Sequence, residues 1–198
     1  MIAIFDYGSG NLRSAERAFA QSGAEVRVTS RVDEAFEAQG LVLPGVGAYA
    51  ACMNQLIAAG GDELIRARAA AKKKVLGICV GAQVLFESGI EKEGHEGIGI
   101  YQGEVSRIAN PVLPHIGWNT VEVGDGSILF AGIESESFYF VHSYAAKVAV
   151  PEAITTWSEY GEKFVAAVEG EYISATQFHP EKSGAAGARL IKNWIDSL

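Results

Sequence analysis

The stretch Val75-Leu76-Gly77-Ile78-Cys79-Val80-Gly81-Ala82-Gln83 could carry covalent chemistry, because an apolar run ends there at a cysteine with a glycine two positions to either side. The run reads as a buried strand and the segment after it as helical, which puts Cys79 at a sharp strand-to-helix turn. Gly77 and Gly81 permit a turn that side chains would obstruct. Such a turn holds the sulfur exposed near a helix N-terminus, where unpaired N–H groups and the helix dipole favour thiolate. On this segment alone a buried structural cysteine is an equal account, since free cysteine is among the most buried residue types.

A second segment, Ala175-Thr176-Gln177-Phe178-His179-Pro180-Glu181-Lys182-Ser183, follows the strand-like Tyr172-Ile173-Ser174. A thiol nucleophile needs a base that takes its proton and returns it to the leaving amine, and a carboxylate that holds the base in one tautomer. His179 and Glu181 are two residues apart, with Pro180 stiffening the link. Cys79, His179 and Glu181 thus make a complete triad in two separated segments.

The elements that must bring these segments together alternate. Ile2–Phe5 reads as a buried strand, Leu12–Ser22 as a helix closed by Gly23, Glu25–Val28 as a strand and Asp33–Ala38 as a helix. Gly40–Leu43 is a third strand, Tyr49–Ala71 one or two helices broken at Gly60-Gly61, and Val75–Ile78 a fourth strand. This rhythm predicts an α/β fold with a parallel sheet and helices on both faces. From Gly97 it changes to short strands over 99–108, 119–123, 138–141, 154–158, 164–169 and 172–176, a mixed or antiparallel extension of the sheet. An amphipathic helix over 185–198 ends the chain, with Leu190, Ile191, Trp194 and Ile195 on one stripe. The run from Arg66 to Lys74 reads as a solvated helix end whose cations suit the C-terminal dipole.

At 198 residues the chain suits a single domain over 1–198, with 48% hydrophobic and 20% charged residues. A net charge of −8 argues against a nucleic acid or an anionic membrane as partner. The segment Met1–Asp6 is too short and lacks the basic flank of a signal peptide, no apolar run approaches a membrane span, and two cysteines make no disulfide framework. A cytoplasmic location is expected, as are no metal and no cofactor; Cys52 reads as a packing residue within a helix. Asp6-Tyr7-Gly8-Ser9-Gly10-Asn11 fails as a dinucleotide fingerprint because Arg13 stands where the third glycine would fall. A tight turn at an interface is the better account, with Asn11 free to hydrogen-bond a partner. Trp118, in Pro114-His115-Ile116-Gly117-Trp118-Asn119, lies outside any apolar periodicity, and a buried core position or an exposed interface position fits it equally.

Gly77-Ile78-Cys79-Val80-Gly81-Ala82-Gln83 and Gln177-Phe178-His179-Pro180-Glu181 resemble the two signatures of the class I, triad-type glutamine amidotransferases. Asp6–Leu12, Pro44-Gly45-Val46-Gly47, Pro114–Asn119 and Tyr139–Tyr144 resemble the branch that serves a (βα)8-barrel synthase partner, and the likeness covers essentially the whole chain. The resemblance implies a flavodoxin-like fold with a mixed, mostly parallel central sheet and a nucleophile elbow. It implies hydrolysis of glutamine through a Cys79 thioester, with His179 as acid and base and Glu181 orienting it. The backbone N–H of Val80 is one oxyanion donor by the logic of the elbow; Pro44–Gly47 resembles the family's oxyanion strand, which puts the second donor near Gly45 or Val46. Gln83 would line the glutamine pocket, Glu91 would sit near the substrate ammonium, and Ser143 and Tyr144 would offer backbone contacts on the carboxylate side. Trp118 and Asn119 would face the barrel, and His115 and His142 look like supporting residues.

The chain departs from the family pattern at Val80 and Ala82, where leucine and a larger methionine are more common. Ala82 removes bulk beside the nucleophile, which widens the pocket or leaves a gap for a neighbour to fill. Two alternatives stand beside this reading: a glutaminase subunit of another complex, such as anthranilate or aminodeoxychorismate synthase, and a catalytically silent scaffold.

Overall fold

A computed structural model describes residues 1–91 and 94–198. Its strands are β1 (Ile2–Phe5), β2 (Val26–Thr29), β3 (Gly40–Gly45), β4 (Lys74–Cys79), β5 (Phe86–Gly89), β6 (His95–Glu96), β7 (Tyr101–Arg107), β8 (His115–Thr120), β9 (Ser137–His142), β10 (Tyr144–Ala146), β11 (Ile154–Glu159), β12 (Lys163–Glu169) and β13 (Ile173–Thr176). The helices are α1 (Leu12–Gln21), α2 (Val32–Glu37), α3 (Tyr49–Ala58), α4 (Gly61–Ala70), α5 (Val80–Gln83) and α6 (Gly184–Asp196).

The central sheet has seven strands in the order β11-β12-β13-β4-β3-β1-β2. The five from β13 to β2 are parallel, and β12 and β11 extend the sheet antiparallel. Right-handed crossovers put α1 on one face, because β1 to β2 steps one way along the sheet, and α2, α3 and α4 on the other, because β2 to β3 to β4 steps back. The packing agrees: α1 lies against α6, with Phe19 and Trp194 edge to face, while α2 and α3 lie against α4. Strands β1, β3 and β13 are buried along their whole length, as strands covered on both faces must be, whereas edge strand β2 is largely half-exposed.

The later strands depart from the expected extension. Only β11, β12 and β13 join the central sheet; β10, β7, β5 and β6 form a second sheet and β8 and β9 a third. The helix expected after Cys79 is the single turn α5, after which the chain enters β5. Strand β8 begins four residues before the expected Asn119, because antiparallel pairing from His115 with His142 to Thr120 with Ser137 overrides the weak local preference of a Pro- and Gly-containing stretch. The cationic run is not a solvated helix end throughout: Arg68 is fully buried and donates to the carbonyls of Ala35, Phe36, Ala38, Gln39 and Lys74. It ties the end of α2 to the starts of β3 and β4. Cys52 is a buried residue of α3, as expected, with its sulfur 3.1 Å from the Tyr7 hydroxyl. No helix among the described residues is long and apolar enough to cross a membrane.

Candidate active site

Strand β4 delivers Cys79 to its carboxyl end, and the chain turns there with φ 57° and ψ −115°. A non-glycine residue in that region is strained, a cost of about 1–3 kcal/mol that the surroundings must impose. They do so by close approach. A Cβ on Gly81 would lie 2.0 Å from the Leu43 carbonyl oxygen, one on Gly45 2.3 Å from the Gly81 nitrogen, and one on Gly77 2.7 Å from the Gly81 carbonyl oxygen. The glycines around the cysteine are therefore required for space rather than for left-handed dihedrals. Strand β3 fits into that space with Gly45 in register with Cys79.

A hundred residues later, β13 pairs with β4 so that Thr176 lies opposite Ile78, which brings the segment after β13 alongside Cys79. Two backbone bonds fix that segment, Gln177 N to Ala166 O at 2.8 Å and His179 N to Tyr139 O at 2.9 Å. His179 Nδ1 lies 2.7 Å from Glu181 Oε1, and the two side chains are 2% and 4% exposed. Its Nε2 has no hydrogen-bond partner. Burial disfavours the imidazolium, but the nearby Cys79 sulfur and the Glu181 carboxylate outweigh it and hold the His179 pKa up at about 9.

Cys79 and His179 meet in a cleft of about 210 Å³ at the carboxyl ends of the parallel strands, the usual place for a ligand in such sheets. Its size is below the roughly 300–1,000 Å³ of drug-sized sites and suits a ligand no larger than an amino acid. Val46, Val80, Gln83, Glu91, Ser143 and Tyr144 line it. Gln83 is buried and donates from Nε2 to Tyr144 O at 2.9 Å; Glu91 Oε2 accepts from Tyr49 N at 2.9 Å, so that carboxylate also holds the first turn of α3. The cleft also includes His142, expected only as a supporting residue, and Gly47, Val141 and Lys182, which lie in stretches quoted from the sequence but are given no role there.

Several expectations are corrected by the geometry. The Cys79 sulfur is not held out in solvent; the residue is 3% exposed and reached only through the cleft. Gly45 does not line the cleft, since it is packed under the elbow; the residue of that strand end with a left-handed backbone is Gly47, at φ 89°. The Val46 N–H is engaged by Ser9 Oγ at 3.2 Å, while the same hydroxyl donates to Val46 O at 3.0 Å. Val80 N–H, at the start of α5, has no intrahelical acceptor by position. Asn11 is exposed, and its Oδ1 caps α1 by accepting from Ser14 N at 3.2 Å. Trp118 and Asn119, adjacent in β8, point to opposite sides of the strand. Trp118 is 58% exposed, and Asn119 turns inward to donate to Glu159 O at 2.9 Å. Beside Ala82 the neighbours leave a void of only about 10 Å³, too small to hold a water with comfort.

The arrangement defines a class: an α/β protein that presents a thiol at a strained turn to an imidazole–carboxylate pair. Residues 3–198 match the family described as glutamine amidotransferase class-I, and the chain belongs to that family. Over its whole length it is 54% identical to the imidazole glycerol phosphate synthase subunit HisH of Mycolicibacterium paratuberculosis and covers 98% of that protein. It is 54% identical to the protein of the same name from Nocardia farcinica, covering 98% of it, and 52% identical to that from Streptomyces avermitilis, covering 96%. Among solved structures it is similar to one described as a glutamine amidotransferase, with TM-score 0.79 and 18% identity over 99% of this chain and 97% of that one. It is also similar to a putative GMP synthase protein from Thermoplasma acidophilum, with TM-score 0.76 and 22% identity over 99% of this chain and 92% of that one. At those identities the structural likeness is one of fold.

Proposed function

We propose that this chain is the glutaminase subunit of an imidazole glycerol phosphate synthase: it hydrolyses glutamine to glutamate and ammonia and passes the ammonia to a (βα)8-barrel partner in histidine biosynthesis. The observation that carries the chemistry is the meeting of Cys79, at its strained turn, with the His179–Glu181 pair in one cleft. The assignment to this synthase is supported by the full-length relatives at 52–54% identity.

In this reading glutamine lies in the cleft with its side-chain amide at Cys79. The sulfur attacks the carbonyl carbon, and negative charge builds on the oxygen, where Val80 N–H is placed to receive it; one such donor is worth about 10²–10³ in turnover. His179, protonated at neutral pH by its raised pKa, gives its proton to the departing ammonia. It then takes a proton from the water that attacks the γ-glutamyl thioester, and glutamate leaves with the thiolate and the protonated His179 restored. Glu181 holds the ring in one tautomer throughout. Gln83, Glu91, Ser143 and Tyr144 anchor the amino-acid end of the substrate.

The second oxyanion donor is withheld in this conformation, since Val46 N–H is bonded to Ser9. The chain alone is therefore nearly inactive, and the loaded barrel partner, docked on the face that carries Trp118, reorients the strand end. This couples glutamine cleavage to the presence of an acceptor, and a closed interface keeps ammonia out of water. The chain acts in the cytoplasm as one domain over residues 1–198, without a metal or cofactor. The test is glutamate release with and without the barrel partner and its ribonucleotide substrate: release that rises sharply only with the loaded partner supports the assignment, and equal release without it removes the coupling.

A further inference from the structure

Gln177 has no part in the chemistry above, yet its side chain reaches the nucleophile. It is 5% exposed, and its Nε2 is 3.9 Å from Cys79 Sγ. Which end of this amide faces the sulfur follows from a group that has no choice. The Tyr144 carbonyl can only accept, and it lies 2.9 Å from Gln83 Nε2 and 3.0 Å from His142 Nδ1. The first contact fixes the Gln83 amide, whose Nε2 is then also the donor to Gln177 Oε1 at 3.0 Å. With its oxygen so occupied, Gln177 must turn its NH₂ toward Cys79.

The second contact fixes the other branch. His142 carries its proton on Nδ1, so its Nε2 accepts from His115 Nδ1 at 3.1 Å. His115 Nε2 is then an acceptor, 3.5 Å from Asn119 Nδ2, whose orientation is set independently by its bond to the Glu159 carbonyl. Both ends of the network thus rest on backbone carbonyls, and one arrangement of protons satisfies every contact. Burial holds the His142 pKa down to about 3, which keeps the ring neutral and the arrangement intact.

We infer that Gln177 is a positioning residue for the nucleophile: its side-chain N–H faces the Cys79 sulfur and favours the thiolate, held in that orientation through Gln83 by the Tyr144 carbonyl. The inference rests on the reading of Cys79 as the glutaminase nucleophile. A donor to the charged form of a thiol lowers its pKa. The need for one is local: α5 is a single turn, and the dipole of so short a helix is small. His179 with Glu181, and Tyr7 and Cys52 behind the elbow, are the titratable groups coupled to the sulfur, and Glu91, His142, Tyr144 and Lys182 line the same cleft.

The experiment follows the pH dependence of Cys79 alkylation by iodoacetamide in the full chain, with Cys79→Ala giving the background from Cys52. Glutamate release and melting temperature are measured alongside, in complex with the barrel partner. Gln177→Met removes the donor at similar volume, and Gln177→Glu places oxygen where nitrogen was. The alkylation midpoint is expected to rise by about one pH unit in Gln177→Met and further in Gln177→Glu, with kcat falling roughly tenfold and KM little changed. Unshifted midpoints in both variants, even with a lower melting temperature and turnover, reduce Gln177 to a packing residue and overturn the inference. If one variant does not fold, the midpoint of the other decides. Full turnover by Cys79→Ala would instead sink the nucleophile assignment, and the inference with it.

Discussion

The Ser9 hydroxyl spans the Val46 peptide units, accepting from Val46 N–H at 3.2 Å and donating to Val46 O at 3.0 Å. One side chain thereby occupies the amide that the family resemblance assigns to the oxyanion. The loop that carries it is held close by Gly10, where a Cβ would lie 2.8 Å from Pro44, and by Tyr7, whose hydroxyl donates to Pro44 O at 2.5 Å. The glycine-rich turn after β1 is thus a brace on the end of β3.

Removing the brace should release the strand. Ser9→Ala is expected to raise glutamate release by the isolated chain severalfold and to narrow the ratio between the partner-bound and free rates. Steady-state assays of both forms check this. An unchanged ratio would mean that the Ser9 bonds do not hold the strand end back.

The ionisation of His179 predicts both a stability window and a rate limb. A group whose folded pKa is raised contributes stability that is complete below its unfolded value of 6.5 and is lost as pH rises through about 9. Wild type should therefore lose melting temperature over that window relative to Glu181→Gln, which lacks the carboxylate. The alkaline limb of kcat/KM should fall near pH 9, where His179 loses the proton it gives to ammonia. Glu181→Gln should move the limb to lower pH and lower kcat by about 10²–10⁴.

Trp118 and Asn119 are adjacent in sequence and should separate in experiment. Trp118→Ala is expected to weaken barrel binding by about 2 kcal/mol, as for a buried aromatic anchor, while leaving the chain's own melting temperature nearly unchanged. Asn119→Ala should lower that melting temperature, since it removes the bond to Glu159 O, at a cost of about 1 kcal/mol. Titration calorimetry and thermal unfolding distinguish them.

Arg68 should be a stability residue rather than a surface charge. Arg68→Met leaves the carbonyls it serves without their donor in a buried site, and is expected to cost about 3 kcal/mol or more. A lower urea midpoint at unchanged slope is the expected signature.

Much of this was legible in the residues. The parallel α/β core follows from the alternation of apolar runs and helical segments up to Ile78, and the Cys79 turn and the His179–Glu181 pair lie where their motifs put them. The misreadings share one cause: they depend on what lies across the fold. Arg68 looks solvated until carbonyls of α2, of the link to β3 and of Lys74 converge on it. The need for glycine at 45 is a need for space under Gly81, which only the packed elbow reveals. Strand β8 and the inward turn of Asn119 come from pairing with β9 and the Glu159 carbonyl, which no local pattern records. Ser9 and Gln177 were visible as motif members, but only the folded chain places their side chains against Val46 and Cys79.

The covalent step is read by mass spectrometry of the chain, acid-quenched during glutamine turnover with the proposed barrel partner. A γ-glutamyl adduct is expected on the peptide that carries Cys79, with both adduct and glutamate release absent in Cys79→Ala. Continued glutamate release by Cys79→Ala, or an adduct on another residue, would contradict the assignment of Cys79 as the nucleophile.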